Sequence, residues 1–542
     1  MFEHFQLSRR RLLLKAAALP PALVASATLP SLTALATARD QTLVIAKNTD
    51  DIIGLDPGEA FEVSGCEVVG QVYDRLVRYE AEDVTKLVGA AAESWSVVGD
   101  GRSLQFKLRP GQVFASGNPL TAEDVTFSFQ RVVQLETASA YILNQLGWTK
   151  KNVTDLVKAV DPETVELTVD KNLAPGLVLQ ILSTWLGSIV DKKTALANEK
   201  NGDLGNEWLR THSAGSGPYT LKSWQASEAV VLDANPKWRN PTPAMTRVVV
   251  RHVPEPSSQR ILLEKGDVDI ARDLTKDQTA ALASNEDIRV ITTAGSDSYY
   301  MALNQKVKPL SHPKVWEALR YAVDYDGMES TFLKDRFSVR QTFLPSSFWG
   351  SLDYKPFGLD LPRARALLAE AGYPEGFEVR LDTFNRSPFT EIAQSLQQTM
   401  GEVGVKLSIV ATESKQFWTL YRSRRHELAL SWWAPDYLDP HSNAVTYAYN
   451  PDNSDESNAG TRAWRCSWES GLNDDVDTAA GEGDESKRLA QYHSLQRKLT
   501  DDSPYVFLFE PRTQTAMRKG VEGFVAGPSF DFVQYRLTTK GA

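Results

Sequence analysis

The chain has 542 residues, 42% of them hydrophobic, and a formal charge of −10 at pH 7. That length supplies several cores, and an acidic balance excludes a nucleic-acid binder, which would need a basic face. At the N-terminus, "SRRRLLLKAAALPPALVASATLPSLTALATA" sets Arg9, Arg10 and Arg11 before an alanine-rich stretch closing on Ala36, Thr37 and Ala38, the pattern of a secretory signal. The paired arginines, with Leu12, Leu13 and Lys15 behind them, suggest a twin-arginine type of leader cleaved near Ala38. Pro20, Pro21 and Pro30 speak against an uncleaved anchor, and no cysteine stands before Cys66 to carry a lipid. The mature chain is expected to be soluble and periplasmic, since no later apolar run approaches bilayer length.

Downstream, "SLQFKLRPG" alternates Leu104, Phe106 and Leu108 and halts at Pro110 and Gly111, a half-buried strand and its turn. "LTAEDVTFSFQRVV" predicts a helix in which Thr121 and Asp124 cap reciprocally while Val125, Phe129, Val132 and Val133 share a face. "TVELTVD" predicts a strand through Val165, Leu167 and Val169, and "RVVVRHV" another after a proline-rich turn. "HPKVWEALRYAVDYDGM" puts Val315, Ala318, Leu319 and Ala322 on one stripe, and "DLPRARALLAEAGYPEG" runs from an Asp360 cap to a Gly372 stop. "GVKLSIV" and "YVFLFEP" are late strands, and "NDDVDTAAGEGDES" is expected to be a solvated loop. Strands and helices interleaved along the whole length indicate an α/β protein. Cys66 and Cys466 could pair only across 400 positions of chain.

"SWWAPDYLDP", residues 431–440, is the stretch that demands a chemical explanation. Enzyme readings fit it poorly. The chain has no GxSxG elbow, "HELAL" lacks the second histidine of a zinc-protease helix, and "PDNSDESNAG" lacks the glycine of a calcium loop. Asp436 and Asp439 stand three residues apart on one turn, too close to flank a glycosidic bond from opposite sides. Its seven histidines are scattered, so no cofactor or metal cluster is expected, although His441 beside the motif keeps a metal-chelate ligand open.

Five blocks resemble one family in order and over nearly the full mature chain. They are "IIGLDPGEAFEVSGCEVVGQVYDRLVRYE", "LQFKLRPGQVFASGNPLTAEDVTFSFQRV", "GSGPYTLKSWQASEAVVLDANPKWRNPTP", "HPKVWEALRYAVDYDGM" and "ARALLAEAGYPEGFEV". They are similar to the extracytoplasmic solute-binding proteins of ABC importers, family 5, the peptide and nickel class. In the second block Ala115, Ser116 and Asn118 replace the more usual His, Asp and Thr. The resemblance implies a periplasmic-binding-protein type II fold, two hinged lobes plus an extra domain. Behind a leader at 1–38, domain I would take 39–75, 212–302 and 503–542, domain II 76–211, and domain III 303–502.

By the same resemblance Asp436 takes the place of the carboxylate that pairs with the α-ammonium of a peptide, with Trp433 before it. Independently of any family, an ammonium leaving water requires a fixed anion, and rigid rings add apolar and cation contact at small entropic cost. Strand alternation lets only one of Trp432 and Trp433 face a cleft, and Trp433 is preferred. Tyr437, Trp418, Phe61 and Tyr141 are further candidates for ligand contact, each with packing as its alternative, while Asp439 and Pro440 shape the turn. Arg422, Arg424 and Arg425 could meet a carboxylate but read equally as a solvated helix face. The resulting expectation is a monomeric, non-enzymatic receptor that delivers a peptide-like solute to the permease and ATPase of an importer. An opine, an oligosaccharide or a metal chelate remains open as ligand, and a hydrolase in the same cleft is the reading from another class.

Overall fold

The computed structural model of the protein describes residues 39–541 apart from 82, 84, 85, 458, 459, 528, 530 and 531. The expected leader and its cleavage point therefore lie outside the described residues. Among them, no helix is long and apolar enough to cross a membrane.

The predicted elements form where their patterns put them. Ala122–Leu135 is a helix with both halves of the Thr121/Asp124 capping box present. Pro313–Tyr321 follows a capping His312, and Leu361–Glu370 follows Asp360, whose side chain accepts from the Arg363 N–H. Gly372 beyond it has φ +87°, the left-handed conformation that ends a helix. One expectation fails: the acidic stretch near 480 is a helix, Asn473–Gly481, and the beginning of a second, Glu485–Asp501. Val476, Ala479 and Ala480, at i, i+3 and i+4 spacing, are buried beneath its solvated acids, and that apolar stripe outweighs the charge of the segment.

These elements assemble on a sheet with twelve strands among the described residues. Across it lie, in order, Val405–Thr412, Phe377–Phe384, Leu428–Trp433, Ser298–Leu303, Tyr505–Arg518, Ile270–Ala271, Thr42–Lys47, Arg247–His252, Ala229–Ala234 and Tyr219–Gln225. The strand Tyr505–Arg518 spans both wings. Its first half pairs with Ser298–Leu303, and its second half pairs with Ile288–Ala294 and Ile270–Ala271. Two antiparallel chain passages, 288–303 and 505–518, thus run side by side from one wing into the other.

Where they cross, the Gly295 N–H donates to the Pro511 carbonyl at 2.9 Å. A Cβ at Gly295 would fall 2.8 Å from that same oxygen, so only glycine fits the crossing. A separate antiparallel sheet orders Ala92–Val98, Ser103–Leu108, Thr164–Thr168 and Val157–Asp161, with the helix Ala122–Leu135 packed on it.

Apolar packing divides along the same lines. One core joins the small sheet to the strands around Leu43, Tyr219 and Val248; a second unites residues from Tyr300 to Phe509. Cys66 lies in the first and Cys466 in the second, and no disulfide joins them. Two buried carboxylates tie the N-terminal wing through ion pairs. Asp56, in the LDP turn, accepts from Arg131 Nη1 at 2.8 Å and Nη2 at 2.5 Å. Glu67 receives Lys47 at 2.5 Å and Arg272 at 3.1 Å, and its other neighbour is the Tyr535 hydroxyl. Burial opposes ionisation of Glu67, but the two cations outweigh it and hold the carboxyl down at about 2.

Candidate functional site

The strand Leu428–Trp433 is flanked by Ser298–Leu303 and Phe377–Phe384, so its "LALS" residues are buried on both faces. Pairing ends at Trp433 opposite Ser298, and Pro435, which has no N–H to donate, turns the chain out of the sheet. Asp439 then starts the helix Pro440–Ala448 by accepting from the His441 N–H at 2.9 Å. Arg488 grips the same carboxylate through two bonds of 2.8 and 2.7 Å. Asp439 is thus fully engaged as an architectural residue. Asp436, held between the end of the strand and the start of the helix, donates its own N–H to Ser442 Oγ at 3.0 Å and leaves its side chain for other work.

The Asp436 residue is only 7% exposed and makes no ion pair among the described residues. Its carboxyl is pushed up to about 6 by burial, against the opposing pull of a hydrogen bond from Tyr141 and the charge of Arg462. Tyr141 keeps 41% of its surface open while its hydroxyl end is buried against the carboxylate. Phe61 packs edge-on to that ring with centroids 6.2 Å apart and leans on Trp185 at 6.1 Å. On the other side the Arg462 guanidinium lies 4.0 Å from the centre of the Trp433 ring, and its Nε donates to the Tyr300 hydroxyl at 3.3 Å. No carboxylate among the described residues pairs with it. Tyr300 in turn meets Tyr421 at 3.1 Å between hydroxyls.

Asp436, Trp433, Tyr141 and Phe61 are therefore gathered in one place, although 375 positions separate the outermost of them. Trp432 points across the strand pair to Tyr299, on the face opposite Trp433. Tyr437, a candidate contact, is 1% exposed and part of the first core, and it donates to Gln145 Oε1 at 2.8 Å while lying within electrostatic reach of Asp436 and Tyr141. Trp418 stacks into a neighbouring aromatic group, 5.6 Å from Phe384 and 6.1 Å from Tyr421, with Arg422 over its face. Arg424 is buried and spent on Asn453, Ser467 and Asp455.

Arg462 in the site, and Asp297 at the sheet crossing, escape the sequence reading. Arg462 sits in "NAGTRAW", which has no periodic or motif signal. Asp297, at the crossing beside Gly295, has its carboxyl pushed up to about 7 by burial, and no pattern marked it either.

His441 has its Nδ1 buried without a partner, and burial pushes its ring down to about 4, so it is neutral near pH 7. It borders a cavity of about 520 Å³ lined also by Gln145, Lys171, Leu177 and Tyr449, within the usual size range for small-molecule sites. Among the described residues no group of three or more His, Cys, Asp or Glu side chains is placed to hold a metal ion.

The large mixed sheet whose two wings share one long strand, with a separate antiparallel sheet beside it, is the architecture of the type II periplasmic-binding fold. The family model described as bacterial extracellular solute-binding proteins, family 5 Middle, matches residues 86–455. The chain belongs to that family. Its relatives include the probable D,D-dipeptide-binding periplasmic protein DdpA of Escherichia coli (strain K12), 28% identical over 500 residues, 91% of this chain and 92% of that protein. The glutathione-binding protein GsiB of Pectobacterium atrosepticum is 24% identical over 513 residues, 89% of this chain and 92% of the other. Among solved structures, the periplasmic binding protein DppA of Helicobacter pylori in complex with the peptide STSA superposes with a TM-score of 0.77 at 25% identity, covering 92% of this chain and 98% of that one. The family and these relatives are binding proteins, not enzymes.

Proposed function

We propose that this protein is the periplasmic receptor of an ABC importer for a peptide or peptide-like solute, which it encloses between two lobes and hands unaltered to the permease and its ATPase. One observation carries this reading: Asp436 and Arg462, both buried and neither in an ion pair, leave one negative and one positive demand within a single aromatic-lined site. A zwitterion answers both. Its ammonium goes to Asp436 and Tyr141, and its carboxylate goes to Arg462, whose guanidinium is fixed in position on the Trp433 ring. The dipeptide- and glutathione-binding relatives are in keeping with that chemistry. In this reading the moving bodies are 39–75 with 212–302 and 503–542 on one side and 303–502 on the other, with 76–211 as the added domain, and the leader directs export.

An opine is also a zwitterion and would satisfy the same pair, whereas a neutral oligosaccharide would leave both charges buried and unanswered. A thermal-shift screen over dipeptides, opines and neutral sugars tests the proposal. Stabilisation by zwitterions, lost in Asp436→Ala and retained in Trp432→Ala, is the expected result; stabilisation by sugars alone, indifferent to Asp436→Ala, would overturn it.

A further inference from the structure

At the seam between the strand Val77–Tyr79 and the C-terminal segment 532–536 a second cavity opens, sharing no lining residue with the Asp436 cluster. Its free volume is about 50 Å³. At about 10–15 Å³ per water that is room for a few waters, or for one tetrahedral oxyanion, and far too little for a peptide. Asp74, Arg75, Arg78 and Arg536 form its charged wall, and Arg239 reaches in to bond Asp74.

The charges there do not balance. Arg75 donates to the Ser183 carbonyl at 2.5 Å and is anchored away from the others. Arg239 is matched by Asp74. Arg536 bonds through Nε only to the neutral Gln534 Oε1, at 2.9 Å. The Nε of Arg78 is buried with no hydrogen-bond partner. Among the described residues Arg78, Arg239 and Arg536 therefore face one carboxylate, an excess of two positive charges in a partly desolvated pocket. Both unmatched groups register the strain: Arg536 is pushed down to about 10 by burial and then by Arg78 and Arg239, and Arg78 is lowered by burial and then by Arg239.

Uncompensated buried charge is costly, so such a pocket is stable chiefly when something fills it. Guanidinium forks fit oxyanions through paired N–H donors. A carboxylate would cancel one charge and leave the other. We propose that this pocket is a binding site for a dianionic oxyanion of the hydrogen phosphate type, with Arg78 and Arg536 as its direct ligands and Arg239, held by Asp74, completing the field. The ion enters either free or as the terminal phosphate of a larger monoester.

Titration calorimetry of the purified protein at constant ionic strength tests this, with inorganic phosphate, glycerol phosphate and acetate as probes. Saturable binding of one phosphate per chain is expected, with acetate binding at least about tenfold more weakly. Tighter binding of inorganic phosphate marks the free ion as the natural occupant, and tighter binding of glycerol phosphate marks a monoester; either result upholds the site. Arg78→Gln and Arg536→Gln should each weaken phosphate by about tenfold or more while leaving cleft ligands at their wild-type affinity.

A second readout separates binding from a structural role: without phosphate, Arg536→Gln should melt no lower than wild type, because it removes a repelled charge, and phosphate should then add nothing to its melting temperature. Phosphorus NMR line broadening with the unmodified protein serves if either variant fails to fold. Absence of saturable phosphate binding to wild type, or equal binding by both variants, overturns the proposal.

Discussion

Asp436 is asked to be an anion in a place that disfavours anions. With its carboxyl near 6, the empty site binds a proton where the loaded site binds a cation, and the two compete. Affinity for an ammonium ligand should therefore hold above pH 6 and fall as the pH drops below it, approaching about tenfold per unit; calorimetry across that range checks it. Asp436→Asn keeps the shape and removes the charge, so binding should weaken by about a hundredfold, while the empty protein at pH 8 should be no less stable than wild type. Asp56 is the opposite kind of acid. Its Asp56→Ala change strands Arg131 inside the N-terminal wing and should cost about 3–5 kcal/mol in denaturant unfolding, without selective loss of ligand affinity in the protein that folds. The sequence showed Asp436 because prolines and rings surround it in one short motif. It hid Arg462 and left Tyr141 undecided between ligand contact and packing, because their parts depend on a tertiary approach across more than 25 and nearly 300 positions respectively.

Elements were legible wherever a local rule governs them. The Thr121/Asp124 box, the Asp360 cap and the Gly372 stop each concern a few adjacent residues and one backbone conformation, and all are present. Where two local rules disagree, as between the acidic surface and the apolar stripe of Asn473–Gly481, packing against a distant partner decides, and that partner is invisible in the chain. The helix Pro440–Ala448 is a similar case. Its Asp439 cap looks like simple turn chemistry, yet Arg488 clamps the cap from 49 residues away. Arg488→Met should loosen this helix start and with it the backbone of Asp436. The expected signature is faster amide exchange at 436–442 and an increased dissociation rate for ligand, read by hydrogen-exchange mass spectrometry and stopped flow.

For the whole molecule, acids with displaced carboxyls set how stability follows pH. Asp436 near 6 and Asp297 near 7 lie above the ordinary value of 3.8, so each adds stability to the empty protein as pH falls from about 7 toward 4, while the buried rings of His441 and His426, held near 4 and near 3 against 6.5, oppose that gain because the unfolded chain takes up their protons first. Glu67, held near 2 against 4.5, works the other way: its contribution is complete above about 4.5 and is lost as pH falls through 2. Asp436→Asn should thus lose stability relative to wild type as pH falls from about 7 toward 4, and both proteins should collapse in strong acid. A bound cation at Asp436 should suppress the wild type's share of that gain, which differential scanning calorimetry with and without ligand reads directly.

The chain passage 505–518 is both the seam of the great sheet and separated by more than 200 positions from the strand Ser298–Leu303 that it pairs with. Until it slots between Ser298–Leu303 and Ile270–Ala271, those strands have no neighbour on that side and the two wings lack half of their shared backbone. Ribosomal synthesis must therefore pass residue 518 before the sheet can close, so a product truncated short of it is left with bare, aggregation-prone edges.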